Sequence, residues 1–120
     1  MYLKKIGGVD ETSLTKKADK LLQEKYTYGK CESCGIREAT CCHHYVYKSQ
    51  SNFLRYNLDN LVRICPECHT RHHKSGDSEI MSRVIVKRGI EWEQGLQSQR
   101  RTPQKLTVSY LQEIIKQLTS

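Results

Sequence analysis

Residues 31–34 read Cys-Glu-Ser-Cys and residues 65–73 read Cys-Pro-Glu-Cys-His-Thr-Arg-His-His, and these two stretches decide the fold. Each contains a Cys-x-x-Cys pair, whose spacing allows one turn to present two thiolates to a single ion. Two such turns supply a tetrahedral set of four sulfurs, which predicts a structural zinc ion bound by Cys31, Cys34, Cys65 and Cys68. A redox-active pair is the alternative, but two copies without a βαβ pattern disfavour it.

A metal ion also suits the size of the chain. Only 37% of the 120 residues are hydrophobic, with a single Trp and a single Phe, and a core this thin usually needs an added cross-link. We find no signal peptide at the N-terminus and no apolar run long enough to span a membrane, so we expect no membrane partner. A cytoplasmic location is therefore expected, where cysteines bind metal more often than they form disulfides. Cys41 and Cys42 are left over, and as strand neighbours one should pack inward and one should face outward.

Hydrophobic periodicity and capping residues divide the chain into three segments and predict the α+β class. These are an N-terminal leader and helix (1–29), a metal-binding core (30–76) and a C-terminal helical extension (77–120). The predicted elements are helices over 13–26 (capped by Thr12 or Ser13), 66–74 and 78–88, strands over 39–47 and 61–64, a polar loop over 48–60, a short continuation from Ile90 and a final helix capped by Thr107. The apolar stripe of that last helix (Leu111, Ile114, Ile115 and Leu118) fits internal packing better than docking of a partner.

The formal net charge of +7 and the isoelectric point near 9.2 favour a polyanionic partner, of which nucleic acid is the usual one. A generic basic protein would show the same balance. Four cations fall on the loop, strand and helix nearest the histidines, where they could bind phosphate, although solvated surface charges are about equally consistent: Arg55, Arg63, Arg71 and Lys74.

All five histidines lie close to the cysteine pairs in sequence. His43 and His44 are neighbours on a predicted strand, so they should point to opposite faces and serve different roles. His69 and His73 are four residues apart on a predicted helix and can converge on one ion. Asn60 can hold the long loop or orient His44. We expect His72 to be an exposed imidazole.

The order Cys42-His43-His44-Tyr45, then Asp59-Asn60-Leu61, then His69-x3-His73 resembles the HNH nucleases over residues 31–73. The lysine-rich first helix, the Arg55-x4-Asn60 spacing and the tail around Trp92 resemble the phage NinG (Rap) recombination nucleases, most strongly over residues 16–115.

The resemblance implies a zinc-stapled treble-clef, or ββα-metal, core and a DNA endonuclease. It implies that His44 is the general base, with Asn60 as a second catalytic residue, and that His43, His69 and His73 bind a catalytic Mg²⁺ or Mn²⁺. It also implies a branched DNA substrate such as a displacement loop or Holliday junction, for which a homodimer would be suitable, and, for a phage gene, the cytoplasm of the host cell.

Two other readings stay open. The histidine cluster could be a second structural zinc site, because a closed site uses the same residue types. The protein would then be a non-catalytic zinc-binding DNA-binding or recombination accessory protein. A regulatory interaction domain that uses the final helix is the third reading.

Overall fold

The structure, a computed structural model, describes residues 10–120, so most of the expected leader lies outside the described residues. Those residues form a two-stranded antiparallel sheet and six α-helices, which confirms the α+β class. The elements are α1 (Glu11–Tyr26), β1 (Cys41–His44), α2 (Asn52–Arg55), β2 (Leu61–Ile64), α3 (Pro66–Lys74), α4 (Glu79–Arg88), α5 (Ile90–Gln99) and α6 (Val108–Thr119), with a 3₁₀ turn at Leu58–Asn60 before β2.

The sheet and α3 form the ββα unit. Cys41 pairs with Ile64 and His44 pairs with Leu61, so the two strands are in register along their whole length. Strand β1 is shorter than the predicted 39–47 because backbone pairing ends at Tyr45, whose N–H donates to the Asn60 carbonyl. Beyond that point the Asn60 side chain, and not a backbone group, binds Val46. Helix α3 follows the prediction, with Pro66 in its first turn and Cys65 as its N-cap.

Different helices cover the two faces of the sheet. One face packs with α4 and with the cysteines of the two Cys-x-x-Cys turns, called the knuckles from here on. This core includes Val62, Ile64, Ile80 and Val84. The other face packs with α1 and α6, and that core holds the buried residues Ala18, Leu22, Cys42, Leu61 and Leu111. This alternation follows from strand geometry, because Leu61 and Val62 must point in opposite directions.

Three sequence-based predictions about local structure are corrected. Helix α1 begins earlier than predicted, because the Asp10 carboxylate and not Thr12 or Ser13 is the N-cap; it accepts from the Ser13 N–H at 2.8 Å. The polar loop over 48–60 contains α2, capped by Ser51, and the 3₁₀ turn, capped by Asn57. The continuation after Gly89 is a full helix, α5, and Gly89 separates it from α4 with a φ of 99° that favours glycine.

The C-terminal helix is part of the core. Thr107 caps α6 as predicted, and Leu111, Ile114, Ile115 and Leu118 pack against α1. The stripe therefore contributes to internal packing, with Leu111 fully buried and the other three residues partly buried. Within residues 10–120, no helix combines the length and the apolar character that crossing a membrane requires.

The packing of α6 predicts a stability effect. Leu111 is 0% exposed, so Leu111→Ala should lower the free energy of unfolding by about 2–5 kcal/mol. The neighbouring exposed change Gln112→Ala should alter it by no more than about 0.5 kcal/mol. Urea unfolding followed by circular dichroism measures both values, and equal stability of the two variants would contradict the packing of α6 on α1.

Candidate metal centres and active site

The four knuckle cysteines converge between β2, α3 and α4. The Sγ atoms of Cys31, Cys34, Cys65 and Cys68 all lie within 4.8 Å of one another, and each of the four is a free thiol. Cys34 Sγ and Cys65 Sγ, one from each pair, are 3.9 Å apart. This is a set of four sulfurs that could hold one zinc ion, as the spacing predicts, and its four ligands leave no open position.

The surroundings of these thiols fit thiolate ligands. Backbone N–H groups of Ile36 and Cys68 point at Cys34 Sγ and Cys65 Sγ, at 3.5 and 3.4 Å. The backbone N–H groups of Arg37 and Ile36 lower the pKa of Cys34 to about 6, whereas burial raises the pKa of Cys68 to about 12. Without a cation the buried Cys68 thiol stays protonated. Zinc binding must therefore offset the free energy of deprotonating Cys68 before all four thiolates can bind the ion.

Two features of the first knuckle hold it in place. Gly35 has a φ of 71°, and its N–H donates to the Cys31 carbonyl to close the turn. The Glu32 carboxylate accepts from the Arg63 backbone N–H at 2.7 Å and forms a two-oxygen ion pair with Arg88 of α4. Arg88 also donates to the Leu61 carbonyl at 2.7 Å and therefore joins knuckle, sheet and α4.

The two remaining cysteines point to opposite faces of β1. Cys42 is buried against α1, where its Sγ donates to the Tyr26 carbonyl at 3.1 Å. Cys41 is half-buried on the α3 side, and its Sγ lies 3.8 Å from Nδ1 of His69. Strand alternation predicted that one of the two cysteines faces outward, but Cys41 is partly covered and does not face solvent freely.

The second cluster consists of three histidines. His43 of β1 meets His69 and His73 of α3, with one ring nitrogen from each within 4.8 Å of the other two. The buried Nε2 atom of His43 has no hydrogen-bond partner among the described residues. Buried polar atoms are nearly always bonded, so an orphaned imidazole nitrogen that faces two others fits a metal ligand. The three residues could hold one ion.

The environment of His43 and His69 favours their neutral form. Burial, together with the neighbouring histidines, lowers the pKa of His43 to about 3, and burial also lowers the pKa of His69. Neutral imidazole is the form that binds metal, so the lowered pKa values of His43 and His69 favour metal binding.

The structure corrects the expectation for His72. Its ring is half-buried, and its centroid lies 4.9 Å from that of His43 in an edge-to-face contact. The side chain is thus a neighbour of the cluster and not a free surface imidazole. It does not belong to the set of converging nitrogen atoms, so its contact with His43 is one of packing.

His44 lies on the other face of β1, as the alternation predicts. Its side chain is buried, and Nε2 is 2.8 Å from the Arg55 carbonyl oxygen. Because a carbonyl only accepts, Nε2 must carry the hydrogen, which leaves Nδ1 as an unprotonated acceptor in the neutral ring. Burial lowers the pKa of His44, and the hydrogen bond to Arg55 opposes part of that shift.

The hydrogen bonds of the Asn60 side chain go to the backbone and not to His44, and a catalytic role for Asn60 stays a prediction. Its side chain is 0% exposed and binds only backbone groups. Nδ2 donates to the carbonyls of Val46 and Leu54, and Oδ1 accepts from the Val46 N–H at 2.8 Å. Asn60 therefore ties the two ends of the loop between the strands, the first of the two roles that the sequence allowed.

One cavity of about 340 Å³ brings His44 and the three-histidine cluster together. Four more residues line it that sequence reasoning missed, namely Gln23, Tyr47, Lys48 and Ser49. Gln23 reaches it because its amide pairs with both backbone groups of Cys42, each at 2.8 Å. No local pattern indicates this contact, since it depends on how α1 docks on the sheet. Lys48 and Ser49 follow the strand directly and could have been found by extending the motif.

The four predicted phosphate-binding cations do not line this cavity. The Arg55 guanidinium forms a two-point ion pair with Asp19, at 2.6 and 3.1 Å, and is only 16% exposed. Arg71 is paired with Asp77, and Arg63 lies near Glu32 and over the ring of Tyr28. Lys74 is exposed at the end of α3. A role in DNA binding for these four residues stays a prediction.

Comparison with known proteins gives one finding of similarity. Residues 31–75 match the family model described as HNH endonuclease. The matched segment runs from the first knuckle cysteine to the residue after α3, and therefore contains both metal clusters and His44. Residues 31–75 are thus similar to HNH endonucleases, and this similarity is consistent with a metal-binding nuclease domain. No curated protein and no solved structure matches the chain.

The four-cysteine set predicts the outcome of zinc removal. Cys68→Ser should lose the zinc ion and leave a largely unfolded chain, because the ion joins both knuckles to the core. Cys42→Ser is the matched control, since Cys42 is equally a buried thiol, outside the set, and serine keeps the hydrogen bond to Tyr26. Metal analysis and circular dichroism measure both, and a folded Cys68→Ser protein without metal would contradict a structural zinc.

Proposed function

We propose that this protein is a metal-dependent DNA endonuclease that hydrolyses phosphodiester bonds. One observation carries the proposal: the converging nitrogens of His43, His69 and His73 share a cavity with His44, whose Nδ1 is free to accept a proton. A metal-binding set beside a buried base is the arrangement that hydrolysis of a phosphodiester requires. The HNH match over residues 31–75 supports the same reaction.

In this proposal the three-histidine cluster holds a divalent ion, Mg²⁺ or Mn²⁺. Three protein ligands leave coordination positions open, in contrast to the four-cysteine site. When bound, the ion would neutralise charge on the scissile phosphate and stabilise the leaving 3′ oxygen. His43, held on β1 opposite Val62, and the two histidines of α3 supply the ligands from rigid elements.

His44 acts as the general base. Nδ1 takes a proton from the attacking water, and the hydrogen bond from Nε2 to the Arg55 carbonyl stabilises the resulting imidazolium. Asp19 and Asn60 are positioning residues in this scheme. Asp19 fixes Arg55 through the ion pair, and Asn60 fixes the preceding turn through the Leu54 carbonyl.

We extend this proposal to the DNA substrate and to the organisation of the chain. Resemblance to the phage NinG (Rap) recombination nucleases supports branched recombination intermediates, such as displacement loops and Holliday junctions, as the DNA that is cut. A homodimer would match the symmetry of a junction, and a phage origin would place the protein in the cytoplasm of the host cell. Residues 30–76 would then be the catalytic core, with 1–29 and 77–120 as flanking helical segments.

A non-catalytic zinc-binding DNA-binding protein is the second candidate, and one observation favours it. Cys41 Sγ lies 3.8 Å from Nδ1 of His69, so a thiol stands beside the histidine site, and a shift of Cys41 toward His43 and His73 would supply a fourth zinc ligand. Such a protein would bind DNA but would cut no substrate with any divalent metal.

The proposed mechanism predicts different defects for two histidine variants. His44→Ala should lower the cleavage rate by a factor of about 100 to 10,000 while fold, zinc content and DNA binding persist, because only the base is lost. His69→Ala should also lose cleavage, but through weaker metal binding, so a higher divalent-ion concentration should restore part of it. Gel assays with labelled linear and branched DNA over a metal titration measure both effects.

His72→Ala is the matched control, because it removes a ring beside His43 but no converging nitrogen, and it should retain cleavage. Normal cutting by His44→Ala would exclude His44 as the base. If the wild-type protein binds but never cuts, the accessory-protein alternative replaces the nuclease. Equal rates on linear and branched DNA would remove the branched-substrate assignment and leave the nuclease in place.

A further inference from the structure

A second cavity is larger than the active-site cavity, and some of its lining residues directly follow those of the active-site cavity in the sequence. It has a volume of about 610 Å³ and is lined by residues 50–52 on one side and 100–104 on the other. Its lining contains two arginines, Arg100 and Arg101, and no acidic residue. The Asn52 side chain donates to the Gln104 carbonyl at 3.1 Å and joins the two sides. The cavity is therefore a cationic recess with a fixed wall.

One turn of the chain contributes lining residues to both cavities. Lys48 and Ser49 line the active-site cavity, and the next residue, Gln50, lines the second one. The turn is closed by the Gln50 N–H, which donates to the Tyr47 carbonyl at 2.9 Å, and it leads into the Ser51 cap of α2. Four peptide steps from Lys48 to Asn52 reach at most about 14 Å, which is the rise of about four nucleotides in a strand.

The cations along this path are less neutralised than Arg55 and Arg71, two of the four cations predicted from sequence. Among residues 10–120, Arg101 forms no ion pair, and the only side-chain hydrogen bond of the Arg100 guanidinium is a long one to Gln97, at 3.4 Å. Lys48 is 47% exposed, with its ammonium 3.9 Å from Asp19. Arg55 and Arg71, in contrast, already hold carboxylates at close range. Phosphate binding by Arg100 and Arg101 breaks no existing ion pair.

We propose that the DNA strand cut at the histidine cavity continues past Lys48 and the turn into the second cavity, where Arg100 and Arg101 bind its phosphates. This inference rests on the proposed function, because it takes DNA as the substrate. The contact reads no sequence, since arginine on a phosphate fixes position and not base identity. It makes the α5–α6 connection part of the DNA-binding surface.

Salt dependence of DNA binding tests this contact without cleavage. In a His44→Ala background, Arg100→Ala/Arg101→Ala should make the negative slope of log affinity against log salt shallower by about two. Each lost phosphate contact removes about 0.9 from the magnitude of that slope. Between 50 and 200 mM salt, the loss of affinity for a labelled DNA duplex should therefore shrink roughly tenfold. Lys17→Ala/Lys116→Ala is the matched control, since both lysines are exposed, line neither cavity and remove the same charge.

Cleavage kinetics give a second readout in the protein with His44 intact. The double arginine variant should lose kcat/KM mainly through a higher KM, because the contact lies away from the reacting phosphate. Arg101→Ala alone, at an exposed position, should give about half the change in salt slope and guards against a folding defect. A wild-type slope, or an equal fall for the lysine pair, would overturn the inference while leaving the nuclease intact. A reduced slope in a protein that never cuts would support the contact and remove the nuclease instead.

Discussion

The convergence of four cysteine sulfurs is the constraint on which the rest of the structure depends. Cys31 and Cys34 precede the sheet, whereas Cys65 and Cys68 begin α3, so their meeting closes the ββα unit at one end. Neighbouring contacts extend that closure, because Glu32 binds β2 and Arg88, and Ser33 donates to the Ile80 carbonyl of α4. A single ion bound by the four sulfurs would thereby fix the strand and the helix that carry the histidines.

The separate placement of His43 and His44 arises from the two-residue repeat of one short strand. His43 points toward α3 and joins His69 and His73, whereas His44 points toward the loop and donates to the Arg55 carbonyl. Asn60 holds this loop in place by binding the backbone of Val46 near its start and of Leu54 in α2. Helix α1 then completes the cavity wall through Gln23, which pairs with the backbone of Cys42.

Local sequence patterns predicted the features that depend on residue spacing, whereas contacts between distant segments depend on packing and were not predicted. The knuckles, the extent of α3 and the Thr107 cap follow from residues close in sequence, and the structure confirms them. Contacts between distant segments were missed, such as Gln23 with β1 and the Asp19 ion pair that occupies Arg55. Charge, position near the histidines and resemblance to the NinG nucleases favoured Arg55 as a phosphate contact, but a sequence does not show which cations already have partners.

The central claim is that two metal sites serve separate purposes, the four-cysteine site for folding and the three-histidine site for cleavage. The most direct test applies chelators of increasing strength and follows the order in which the ions are lost. Cleavage and circular dichroism are recorded on the same sample at each step. The account predicts that cleavage stops first, with the spectrum unchanged, and that the fold is lost only when the thiolate-bound zinc leaves. Cleavage that persists until the protein unfolds, or a fold that is lost together with the first ion, would contradict it.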